Sequence, residues 1–140
     1  MSRIVVAGVV AGVVAYLVDW VMWSYVFRKG MDAFVTPMSP EEMKRFMGPA
    51  LAKSGVLSLV FGVLLAFLYA RFRGSLWVQG GGPLAGLEFG AVLWLPTIAL
   101  ETLGGGVWYA KVRPLFNATF WVWLARLLAA GLVVGLLITE

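Results

Sequence analysis

The stretch IVVAGVVAGVVAYLVDWVMWSYVF, residues 4–27, decides the architecture. It is apolar almost throughout and matches the ~20 residues a helix needs to cross ~30 Å of hydrocarbon. It lacks the apolar/polar alternation of a barrel strand. Arg3 precedes it, as a basic residue precedes a secretory signal. The run nevertheless continues through Tyr16, Leu17 and Val18 into Asp19 and Trp20 without an A-x-A-like cleavage site, so it reads as a retained anchor.

Three further stretches share this character: Leu51–Ala70, Leu84–Leu103 and Phe116–Thr139. Composition agrees with them. Of the 140 residues, 61% are hydrophobic and 13% charged, against roughly 45–50% and about 25% in soluble domains. A chain this short could not hide so much apolar surface from water. The expectation is an all-α integral membrane protein. Residues 1–140 form one domain, a bundle of four transmembrane helices.

The absent residues exclude chemistry. With His 0 and Cys 0, the usual ligands of zinc, haem, copper and iron–sulfur clusters are missing. No Ser-His-Asp or Cys-His unit can be assembled. No metal or other cofactor is expected. The net charge of +4 reads as Lys and Arg retained in cytoplasmic loops rather than as a nucleic-acid surface, since no basic helix interleaved with aromatics occurs.

The loops carry local signals. Ser39-Pro40-Glu41-Glu42 is a helix start, with Ser39 as cap, Pro40 at the first position and Glu42 reaching back. Met43, Phe46 and Met47 share one face, which predicts a short interfacial helix over about 40–48 ending at Gly48-Pro49. Gly80-Gly81-Gly82 and Gly104-Gly105-Gly106 are not phosphate loops, because no Gly-Lys-Ser/Thr follows and no strand precedes. Asn117-Ala118-Thr119 fits a glycosylation sequon but falls too close to the membrane for use. The first and third loops hold Arg28, Lys29, Lys44, Arg45, Lys111 and Arg113; the other side holds Arg3, Arg71 and Arg73. The positive-inside rule then puts the first and third loops in the cytoplasm and both termini outside, in a multi-pass protein of the cell membrane.

Charges inside the spans need partners or functions, since each costs at least ~2.5–3.5 kcal/mol in hydrocarbon. The candidates are Asp19, Glu88, Glu101 and Arg126, with Lys53 near a span end. At 1.5 Å per residue, Arg126 lies within roughly 2–3 Å of its helix centre and Asp19 about 5 Å toward the first loop. Glu101 lies about 11 Å toward that same side, and Glu88 about 8 Å the other way. An ion pair between Asp19 and Arg126 follows, with Glu101 as second partner. Glu88 is left to face a polar cavity or to be held protonated.

Small residues mark packing faces. Gly8, Gly12, Ala15 and Asp19 form one stripe of the first helix; Gly86, Gly90, Thr97 and Glu101 form a similar one on the third. Gly62 belongs to a stripe with Ser58, Ala66 and Ala70 on the second. Gly131 and Gly135 lie about 140–180° around the fourth helix from Arg126, a face suited to another protomer or partner subunit. The similar stripes fit either a duplicated hairpin or coincidence among 17 glycines. Trp20, Trp23, Tyr25, Trp94, Trp108, Tyr109, Trp121 and Trp123 form either an interfacial belt or the wall of a ligand pocket beside Asp19, Glu101 and Arg126. Pro96 adds to the pocket reading by freeing a carbonyl near Glu101.

Trp23-Ser24-Tyr25-Val26-Phe27, the acidic Ser39-Pro40-Glu41-Glu42 stretch and Gly86 to Leu95 resemble an uncharacterised prokaryotic family of four-helix integral membrane proteins, a domain of unknown function. Where that family continues with a proline and another tryptophan, this chain has Arg28-Lys29-Gly30-Met31. The resemblance implies the four-helix layout and no activity. Three functions remain in view: an accessory or scaffold subunit of a membrane assembly, a small transporter or channel using Asp19, Glu88, Glu101 and Arg126, and an enzyme of lipid-like substrates. The expected partners are the bilayer and either further copies of the chain or a larger membrane complex.

Overall fold

The computed structural model describes residues 1–139. Four helices in it are long and apolar enough to cross a membrane: α1 (Ser2–Val26), α2 (Pro40–Ser75), α3 (Gly82–Trp108) and α4 (Ala110–Leu137). No strand occurs among the described residues. The stretches Leu51–Ala70 and Leu84–Leu103 fall within α2 and α3, and the other two run past their helices by one residue at Phe27 and by two at Ile138 and Thr139.

Glycine and alanine draw the helices together in pairs. A Cβ added at Gly8 would meet the backbone of Val63 and Gly62, and one at Gly12 the backbone of Ser58 and Leu59, so α1 and α2 touch main chain to main chain. The α3–α4 pair is built the same way, with Gly86 and Gly90 on one side and Leu127, Gly131 and Gly135 on the other. Such close approach maximises van der Waals contact, as in helices that associate within lipid, where the hydrophobic drive is missing. The two pairs join through α1 and α4, and α4 touches all three other helices. Ala7, Ala11, Ala15, Ala66, Ala130 and Val134 are fully buried in the common core.

Gly131 and Gly135 are thus engaged within the chain. The reading that left this face for another protomer is corrected: α4 is central and has neighbours on opposite sides, so a face turned from Arg126 still meets α3.

The first loop also differs from its sequence reading. No separate interfacial helix ends at Gly48-Pro49; α-helix runs unbroken from Pro40 to Phe72 with Pro49 inside it. A proline removes one helical N–H and so frees the carbonyl four residues earlier. That carbonyl belongs to Arg45, in a run from Asp32 to Pro49 that is exposed throughout and open to a polar solvent. The helix start is a reciprocal cap: Ser39 Oγ accepts from Glu42 N–H at 3.2 Å and Glu42 Oε2 accepts from Ser39 N–H at 2.9 Å. The bond from the Ser39 backbone, aided by one from its hydroxyl, holds the Glu42 carboxyl below its ordinary value. At 36 residues α2 is about 54 Å long, well beyond ~30 Å of hydrocarbon, which leaves this capped end outside any span.

Two π-helical turns interrupt the helices, Met22–Val26 in α1 and Leu95–Ala99 in α3. The second contains Pro96 and changes which side of α3 faces inward.

Candidate functional site at Asp19 and Arg126

Arg126 on α4 and Asp19 on α1 meet where the two helix pairs join. Nη1 of Arg126 donates to Asp19 Oδ2 at 2.7 Å, the one ion pair among the described residues. Nη2 donates to Ser58 Oγ on α2 at 3.2 Å. The guanidinium carbon also lies 4.3 Å from the Phe61 ring centroid and 4.5 Å from that of Trp123, two rings set edge to face with centroids 5.9 Å apart. A cation within this distance of two aromatic rings is favoured by their quadrupoles, the more so where water is scarce. Both side chains are largely shielded, 12% exposed for Arg126 and 22% for Asp19. One cation therefore draws contacts from three helices.

Ser58 is here because it lies on the small-residue stripe that faces α1, where its own carbonyl opposes Gly12. Its part, and that of Phe61, was not read from sequence. The signal for Ser58 was its place one turn from Gly62; an aromatic on an apolar helix carries no comparable mark.

Glu101 does not join the pair. It is exposed and makes no hydrogen bond or ion pair with any described residue, and the π-turn supplies the reason. One additional residue in a turn sets everything after it back by about 100°. The inward position then falls to Thr102, which is buried and donates its hydroxyl to Ile98 and Ala99 carbonyls of its own helix. Thr97 likewise donates to its own helix, at Leu93.

Glu88 faces neither a cavity nor the pair. Its Oε1 and Oε2 accept from Trp77 N–H and Val78 N–H, each at 2.7 Å, which is the acceptor role of a carboxylate. It pins the second loop to α3. Gly80, Gly81 and Gly82 complete that loop with φ of 86°, 72° and 86°, a run of left-handed backbone that residues with a Cβ rarely adopt. Lys53 is exposed on α2 and makes no ion pair with a described residue.

The aromatic residues do not gather around one pocket. Trp123 packs on Arg126 and Phe61, while the Trp94 indole N–H donates to the Phe120 carbonyl at 3.2 Å. Tyr25, Trp108, Tyr109 and Trp121 are exposed at the end of the molecule where the first and third loops lie. Trp20 and Trp23 border a notch of about 270 Å³ with Tyr16, Asp19, Ser24 and Ser54. Within the ion pair, Asp19 Oδ1 and Arg126 Nε are buried without a hydrogen-bond partner. A larger hollow, about 1000 Å³, lies elsewhere, between the ends of α3 and α4 around Leu103, Val107, Phe116 and Trp121, and is mainly apolar. Among the described residues no group of His, Cys, Asp or Glu could hold a metal ion. No family model, curated protein or solved structure matches the chain.

Proposed function

We propose that the protein is a multi-pass membrane protein acting as an accessory or scaffold subunit of a membrane assembly. The observation that carries this reading is the enclosure of Arg126 by Asp19, Ser58, Phe61 and Trp123, which uses the central charge to hold helices together. Glu88 serves a loop, and Thr97 and Thr102 serve their own helix. Little polar chemistry remains in line for a path across a bilayer. Native-nanodisc extraction followed by cross-linking and mass spectrometry tests the reading. A stoichiometric second protein supports it, and recovery of this chain alone contradicts it.

A second reading rests on the notch. Its aromatic walls and the unpartnered Oδ1 of Asp19 suit a small ligand entering from the first-loop end, as a transporter would need. Substrate- or proton-linked flux that Asp19→Asn abolishes in a folded protein would favour it over the scaffold. In either case the first and third loops are proposed to be cytoplasmic. The chain has no cysteine, so single cysteines placed in each loop report sidedness without background. Labelling of Lys111→Cys only from outside would reverse the orientation.

A further inference from the structure

The two helix pairs share one plan. Gly62 packs between Gly8 and Gly12 as Gly131 packs between Gly86 and Gly90. Superposing the plans makes α3 the counterpart of α1, and α4 of α2. The α1–α4 contact, closed by Asp19 and Arg126, then has a counterpart between α3 and α2. That second contact is open. Its helices meet at one end, where the rings of Tyr69 and Phe89 are 5.4 Å apart, and then part around a cleft of about 280 Å³. The cleft is lined by Phe61, Leu64, Leu68, Leu93 and Thr97 and floored by Leu127.

The charges follow the same correspondence. The counterpart of Asp19 is Thr97, and Glu101 follows it by one helical turn. The counterpart of Arg126 is Leu57, and Lys53 precedes it by one turn. Because α2 and α3 run in opposite directions, both displacements go toward the first-loop end, so acid and base stay level. Glu101 continues the Leu93–Thr97 row of the α3 wall, and Lys53 continues the row of Leu57, Leu64 and Leu68 on α2. Each is exposed, and neither has a described counterion.

We propose that a second copy of this chain closes the cleft about a two-fold axis along the bundle. Each α3 packs on the partner's α2, and Lys53 pairs with Glu101 of the partner subunit twice over. A surface carrying both signs at one depth is self-complementary under a two-fold, which is what an isologous interface requires. An acyl chain would fill the apolar part but leave two charges uncompensated where each is costly. The inference stands apart from the scaffold reading, since a dimer needs no second protein.

The test uses differently tagged full-length chains in lipid nanodiscs, with subunit number read by single-molecule photobleaching and mixing by co-purification. Wild type is expected as a dimer. Lys53→Glu and Glu101→Lys each place like charges together and should give monomers, while a mixture of the two restores both attractions and should recover dimers containing one of each. The neutral variants Lys53→Gln and Glu101→Gln should weaken the dimer by about tenfold or more, and they guard against a reversal that impairs folding. A monomeric wild type, or single reversals that still dimerise, overturns the proposal. So does rescue confined to the double variant within one chain, which would mean that the cleft closes on itself.

Discussion

Arg126 Nη1 lies 2.7 Å from Asp19 Oδ2, joining residues 107 positions apart in the chain and the two glycine-packed helix pairs to each other. The ring faces of Phe61 and Trp123 complete the enclosure. Phe61→Leu keeps the apolar volume and removes one ring face. It should lower stability by about 0.5–2 kcal/mol, while the same change in an Arg126→Leu background should cost less. Chemical unfolding in detergent micelles measures both.

The glycines divide by what faces them. A methyl at Gly131 or Gly86 meets the facing backbone, which has no rotamer to move aside, and should destabilise by about 1–3 kcal/mol. Gly55 and Gly104 have open space around them, so alanine there should be neutral or raise stability by about 0.5–1 kcal/mol. Thermal unfolding of the four variants gives the ranking. Equal effects would show that the helix pairs do not touch through their backbones.

Glu88 fixes the second loop through two backbone N–H groups. Glu88→Gln puts an amide donor against one of them and should speed hydrogen exchange at Trp77 and Val78, and Glu88→Ala should do so further. A loss of about 1–3 kcal/mol in local opening energy is expected. Exchange elsewhere in α3 should change little.

The cap on α2 is sensitive to pH. Glu42 has its carboxyl lowered in the folded state by bonds from Ser39, so its stabilisation is complete above the unfolded value near 4.5 and fades as pH falls through the lower folded one. Hydrogen exchange at Glu42 and Met43, corrected for intrinsic rate, should rise over that acid range in the wild type. Ser39→Ala keeps the backbone bond and should only lessen this pH dependence, whereas in Glu42→Ala exchange should be high and nearly independent of pH.

The four long helices were legible because uninterrupted apolar length is a direct physical demand of the bilayer. Asp19 and Arg126 could be paired because depth is counted simply from helix rise. Glu101 was misplaced because that count assumes an unbroken α-helix, and the π-turn at Pro96 moves Thr102 into its place. Gly131 and Gly135 were offered to a partner because one helix shows the angle between faces but not how many neighbours surround it. Gly48-Pro49 looked like a stop, yet a freed carbonyl in a solvated stretch is tolerated. The task of Glu88 depended on where a folded loop aims its N–H groups, which no spacing in the sequence conveys.

The most direct test is a double-mutant cycle on Asp19 and Arg126, read as unfolding free energy in the same micelle. Arg126→Leu alone strands an acid among apolar helices and should cost about 3–5 kcal/mol, and Asp19→Leu alone should also be strongly destabilising. The account predicts that Arg126→Leu combined with Asp19→Leu recovers much of that loss. Losses that simply add, with the double variant as unstable as the sum of the singles, would contradict it.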